Sequence, residues 1–172
     1  MRIVYIFVEG TDDERFFKQI FKENNIKIVT YAKEKKEKIN NYIKSIKSIP
    51  NCDYVLICDV DLKSLEDKKK EMIDRFPCCE VEKIIVSIAE IESWYLAGLN
   101  EKRSCDMKVK YIHKTDDITK EKFDILVPKR MHKINFMIEI LKEFDIKVAM
   151  ERNLSFNYCV QYFNKIHNLA VL

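Results

Sequence analysis

Two apolar runs in this sequence end in carboxylates. The first, Ile3-Val-Tyr-Ile-Phe-Val8, delivers Glu9 and Gly10, and Thr11-Asp12-Asp13-Glu14 then opens what reads as a helix. The second, Tyr54-Val-Leu-Ile-Cys58, delivers Asp59 and Asp61. Open α/β sheets gather their ligands at the carboxyl ends of strands, so these acids fall where chemistry is expected. Strand side chains repeat every two residues, which sends Asp59 and Asp61 to one side as long as the chain stays extended there. Asp13, one turn into the helix after Glu9, can join them. Carboxylates crowded on one rim repel unless a divalent ion neutralises them, and an all-oxygen set selects Mg2+ or Mn2+ over zinc.

Each residue also has a plainer explanation. The helix dipole favours Asp12 and Asp13 in a first turn, and Asp61 suits a turn. Glu9 is harder to assign to packing, because so apolar a strand has no structural need of a terminal carboxylate. Glycine is scarce, with only Gly10 and Gly98. At Gly10 a missing side chain lets backbone N–H groups at the helix start approach a phosphate.

The elements that must position these acids follow from periodicity. Residues 2–8 read as a central strand covered on both faces. Thr11 and Glu14 match a capping box, followed by a helical stripe of Phe16, Phe17, Ile20 and Phe21. Residues 26–31 read as a strand, and Lys33 to about Ile49 as a charged helix turning Ile39, Ile43 and Ile46 inward. Asp53–Cys58 is a third strand, Ser64–Arg75 a lysine-heavy helix, Lys83–Val86 a fourth strand and Ser87–Leu99 a helix. This alternation predicts an α/β, Rossmann-like three-layer sandwich with a mainly parallel central sheet. The expected division is a core over 1–100 and a basic, mainly helical extension over 101–172, packed on the core as a single structural domain. Within the extension, Met131–Phe144 and Phe156–Ile166 read as amphipathic helices, with Ser155 the N-cap of the last.

At 172 residues and 47% hydrophobic content, one buried core is affordable and two are not. No run approaches the roughly 18 apolar residues that span a bilayer, and no cationic leader precedes the first strand, so a cytoplasmic protein with no membrane partner is expected. The cysteines at 52, 58, 78, 79, 105 and 159 contain no C-x-x-C pair and read as reduced core thiols. Cys105, His113 and His132 match no zinc spacing. Net charge is +3, with 17 basic against 18 acidic residues in 1–100 and 14 against 10 in 101–172. The basic excess includes Lys102, Arg103, Lys129 and Arg130. An acidic front and a basic back suit a metal site with a polyanionic substrate, although a solvated lysine-rich exterior gives the same pattern.

Val8-Glu9-Gly10-Thr11-Asp12-Asp13 with Asp59-Val60-Asp61 resembles the TOPRIM fold of topoisomerases, primases, OLD-type nucleases and a ribosomal RNA maturase. Ala89-Glu90-Ile91-Glu92-Ser93-Trp94-Tyr95-Leu96-Ala97 is similar to a signature of small stand-alone TOPRIM-like proteins, some linked to phage defence. Arg152-Asn153-Leu154-Ser155-Phe156 resembles their C-terminal Ser-Phe segment. The resemblance implies Mg2+ or Mn2+ bound by Glu9, Asp13, Asp59 and Asp61 in support of phosphodiester chemistry. Glu90 and Glu92 stand about 200° apart on a helix. Ser87-x-x-Glu90 forms a capping box, so Glu92 is the candidate further ligand. Trp94 reads as core.

The expected activity is Mg2+-dependent phosphodiester hydrolysis by a TOPRIM-type nuclease. Glu9, Asp59 and Asp61 would be catalytic, and Gly10, Lys102, Arg103, Lys129, Arg130 and Arg152 would hold nucleic acid. The alternative is a non-catalytic nucleic-acid-binding or accessory subunit. With no G-x-x-x-x-G-K-[ST] in the chain, any ATPase would be a separate partner. An aspartyl phosphatase or phosphotransferase is a weaker third reading, since Asp59-Val-Asp-Leu-Lys63 departs from the pattern of those enzymes.

Overall fold

The structure, a computed structural model, describes residues 2–21, 24–61 and 63–167, the last two by backbone alone. The chain divides into two compact units, one up to Ser87 and one from Ile88 onward. The segment carrying Glu92 and Trp94 therefore belongs to the second unit, ahead of the boundary expected near residue 100.

The first unit alternates strand and helix: β1 (Ile3–Val8), α1 (Thr11–Ile20), β2 (Ile26–Thr30), α2 (Lys36–Lys47), β3 (Cys52–Asp59), α3 (Leu65–Arg75) and β4 (Ile84–Ser87). The strands form one parallel sheet in the order β2-β1-β3-β4. The expected α/β fold with a parallel sheet is present. β1 and β3 lie at the centre, as their unbroken apolar runs require.

Period-two alternation divides the side chains of these strands between the two faces. On one face Phe7, Tyr54, Leu56, Cys58, Ile84 and Val86 form a buried cluster with Ile39, Ile43 and Ile46 of α2 and Met72 of α3. Each of those three isoleucines is almost wholly buried, worth about 1.5–3 kcal/mol apiece. The alternate set, Val4, Ile6, Val55, Ile57 and Ile85, is equally buried, as are Phe16, Phe17 and Ile20 of α1. At the other end of the sheet Asp53, almost buried, receives Lys83 Nζ at 2.9 Å and the Arg2 guanidinium at 2.8 Å. That carboxylate ties the start of β3 to its neighbours, where an unpaired buried charge would be strongly destabilising.

The second unit is helical: α4 (Ile91–Ala97), α5 (Glu101–Asp106), α6 (Lys120–Leu126), α7 (Lys133–Lys142), α8 (Ile146–Arg152) and α9 (Leu154–His167). Trp94 is fully buried, donates its indole N–H to Ser155 Oγ at 2.8 Å and meets Phe156 edge-on. With its hydroxyl committed to Trp94 and Asn153, Ser155 does not cap α9. Asn153 does, accepting the Phe156 N–H at 2.9 Å. α4 likewise begins later than expected, with Glu90 as its N-cap and Ala89 in the left-handed region at φ 67°.

Gly98 closes α4 because nothing larger fits. A Cβ there would lie 2.2 Å from the Phe144 ring, and Phe144 itself packs against Phe156. Gly98→Ala is expected to destabilise the protein by about 1–3 kcal/mol through overpacking. An unchanged melting temperature would contradict this packing.

No helix among the described residues is long and apolar enough to cross a membrane. All six cysteines are free.

Candidate metal centre

Register places the acidic residues at one end of the sheet. Phe7 pairs with Leu56 and Asp59 with Ser87, so the end of β1 delivers Glu9 beside the last residues of β3. The parallel ladder continues one step past β1, with Tyr31 N–H donating to Val8 at 2.9 Å and Ala32 N–H to Glu9 at 3.2 Å. Glu9 is half-buried and held by backbone on the β2 side.

Asp13 sits in the first turn of α1 and is almost buried. Its carboxylate accepts the Gly10 N–H at 3.0 Å. Gly10, not Thr11, is therefore the N-cap, and the single bond to Asp13 stands where a box of Thr11 and Glu14 was expected. The Gly10 N–H is committed to Asp13, which redirects the phosphate-approach role expected of it. Nor does the backbone demand glycine: φ is −137°, and an added Cβ would meet Asp13 Oδ2 at an ordinary 3.5 Å.

Tyr31, which the sequence did not mark out, feels the charge of three of these carboxylates. Its ring is buried and its hydroxyl donates to the Ile57 carbonyl at 3.1 Å. Burial raises its pKa well above the ordinary phenol value, and the charges of Cys58, Glu9, Asp13 and Asp59 raise it further. The thiol of Cys58 is pushed up to about 12, chiefly by burial, with Lys68 opposing and Asp59, Glu9 and Glu71 adding to the rise. A thiol so protonated is no nucleophile at neutral pH.

Asp61 departs from the expected geometry. β3 ends at Asp59, and Asp61 takes a left-handed turn conformation at φ 55°. The extended backbone that would send Asp59 and Asp61 to the same side is therefore missing, because the chain turns between them. The Asp61 carboxylate is 59% exposed and accepts a hydrogen bond of 2.6 Å from Lys68 Nζ, whose side chain is only 6% exposed. Glu71 stands 3.5 Å from the same amine. Burial works against the Lys68 charge, yet its bonds to Asp61 and Glu71 prevail and raise its pKa.

The donor chemistry suits a small hard ion, since Glu9, Asp13 and Asp59 are all oxygen donors. The cage itself is not closed. Among the described residues no group of three acidic, histidine or cysteine side chains forms a ready-made ion site.

The second unit occupies several other candidates. Glu92 is almost buried and paired with Lys133 Nζ at 2.8 Å, and the same amine reaches Asp124 at 2.9 Å. Glu90 accepts the Lys120 N–H, so its carboxylate serves the start of α6 and the expected box with Ser87 is absent. Arg152 corrects a second expectation. Buried to 5% exposure, it gives its guanidinium to the carbonyls of Ala97, Leu99 and Ile112 and cannot grip nucleic acid. Lys102, Lys129 and Arg130 are exposed. Arg103 is half-buried between Glu139 and Glu143, each 3.5 Å away. Arg103 and Arg130, with Lys108 and Asn135, line a cleft of about 530 Å³.

No protein-family model matches the chain, and no curated protein does. Among solved structures it is similar to the C-terminal region of the Burkholderia pseudomallei OLD protein. The likeness covers 94% of this chain and 97% of that one, at 15% identity and a TM-score of 0.49. Similarity of that degree fixes no chemistry, so the reading of the site rests on its own geometry.

Proposed function

We propose that the first unit is a Mg2+- or Mn2+-dependent phosphodiesterase, a nuclease of TOPRIM type. The delivery of Glu9 and Asp59 by neighbouring strand ends, with Asp13 in the first turn of α1, supports this reading. Glu9, Asp13 and Asp59 would hold the ion, and Asp61 would complete the set on leaving Lys68. A bound Mg2+ or Mn2+ supplies charge neutralisation at the phosphoryl oxygens and an activated water.

The chain's own residues do the rest. Gly10 N–H fixes the Asp13 carboxylate at the start of α1, where the helix dipole favours its charge. Tyr31, buried, anchors to the end of β3 through the Ile57 carbonyl. Glu9 is placed to bind the ion or to take a proton from water as general base. Exposed Lys102, Lys129 and Arg130 would attract a polyanion by charge, with affinity falling as salt rises.

The test is cleavage of DNA and RNA by the purified chain. Cutting is expected with Mg2+ or Mn2+ and is expected to be lost on chelation. Cutting that survives chelation would dismiss the metal reading. The second reading is a subunit that binds nucleic acid without cutting it. Binding without turnover in either metal would select that one, with a separate ATPase as the partner to seek.

A further inference from the structure

The cleft of about 530 Å³ is lined wholly by residues of the second unit. One wall is the end of α5 and the turn after it, with Arg103, Met107 and Lys108; the other is the segment entering α7 and that helix's first turns, with Arg130, Met131 and Asn135. Its volume is that of a small-molecule site, roughly 300–1,000 Å³. Three cations line it against two acids, Asp106 and Glu139. Glu139 is shared, since its carboxylate pairs with Lys142 as well as with Arg103. Arg103 holds Glu139 and Glu143 only at 3.5 Å, and its buried Nε makes no hydrogen bond among the described residues. Lys108 and Arg130 are exposed, and neither has an ion pair among the described residues. Positive charge is therefore left over in the cleft.

Lys108 is the more telling of these two. α5 ends at Asp106, and the chain turns back with the Lys108 N–H on the Cys105 carbonyl at 3.0 Å and the Val109 N–H on the Ser104 carbonyl at 2.9 Å. Such a turn takes a left-handed residue, usually glycine, and here it is Lys108 at φ 56°. Strain of this kind is kept where the side chain is used, and Lys108 lines the cleft.

We propose that this cleft binds a nucleoside phosphate, with Lys108 and Arg130 on the phosphate and Met107, Met131 and Ile138 against the base. Ile138 is 39% exposed, an apolar surface that a bare phosphate has no use for. Thioethers pack on flat rings without demanding one fixed geometry. The Asn135 amide offers both a donor and an acceptor, as the edge of a base requires, and Asp106 offers an acceptor to the ribose hydroxyls. None of this draws on the metal reading of the first unit.

The experiment is calorimetric titration of the full chain, in EDTA, with AMP, ribose phosphate, inorganic phosphate and a short oligoadenylate. AMP is expected to bind about tenfold or more tightly than ribose phosphate or inorganic phosphate. Lys108→Gly and Arg130→Gln are each expected to weaken AMP about tenfold. Lys108→Gly should also melt no lower than wild type, because glycine relieves the left-handed turn. Asn135→Ala is expected to weaken AMP and to leave ribose phosphate unchanged. Oligoadenylate that displaces AMP supports the cleft with a single strand as its natural occupant, and oligoadenylate that does not supports it with the free nucleotide. Ribose phosphate or inorganic phosphate matching AMP would overturn the proposal, as would wild-type affinity for AMP in both Lys108→Gly and Arg130→Gln. Silence of AMP on the wild-type chain would overturn it too, whatever the oligonucleotide does, and would leave the metal reading of the first unit standing.

Discussion

Glu9→Gln and Asp59→Asn are each expected to lower metal-dependent cleavage about a hundredfold or more, with melting temperatures close to wild type. The two effects separate because of where these side chains stand. Glu9 is half-buried just past the last residue of β1, and its backbone, not its carboxylate, continues the ladder to Ala32. Glutamine keeps the shape and the hydrogen-bonding capacity and removes only the charge. Asp59 closes β3 beside Ser87 and is likewise half-buried, so asparagine leaves the apolar core untouched. What each variant removes is one negative charge from the acidic end of the sheet. Cleavage rates in saturating Mn2+, read beside thermal melts, check both halves. Wild-type cutting by both variants would move the chemistry away from this end of the sheet.

Much of this site is legible in the order of residues, for a reason particular to parallel sheets. A strand buried on both faces must be apolar throughout, so Glu9 and Asp59 stand out as the points where the rule stops applying. Central placement of β1 and β3 follows from the same runs, and it brings the two strand ends side by side. Asp61 was harder. Its spacing from Asp59 implies a shared side only on an extended backbone, and nothing in Asp59-Val60-Asp61 announces the left-handed turn.

Lys68 was invisible for a different reason. A buried lysine in the run Lys68-Lys69-Lys70 differs from its neighbours only in which way α3 faces, and that is fixed by Met72 entering the core. In the second unit the short helices α5, α6 and α8 are held by side chains far apart in sequence, which no local period reveals. Asn153 illustrates this. It caps α9 and also donates to Ser93 and Thr115, roles that Ser155 by itself fits as well on spacing alone.

Arg152→Ala is expected to be among the most destabilising single changes in the second unit, lowering stability by about 3–6 kcal/mol. Three carbonyls depend on this one guanidinium. Ala97 and Leu99 present theirs at the end of α4, where the last turn of a helix has no partners of its own, and Arg152 reaches them at 2.8 and 2.5 Å. Ile112 receives Nε at 2.9 Å, and the Tyr111 ring lies 4.3 Å below the charge. Truncation to alanine would leave buried oxygens without donors, each costing about 1–3 kcal/mol. Lysine cannot span the same carbonyls, since it lacks the planar fork, so Arg152→Lys should recover only part of the loss. The expected melting shift for Arg152→Ala is about 8 °C or more, whereas Lys129→Ala, at an exposed position, should leave melting alone and weaken nucleic-acid binding. The opposite pattern, with Arg152→Ala melting like wild type while binding nucleic acid poorly, would restore Arg152 to the binding surface and remove its structural role.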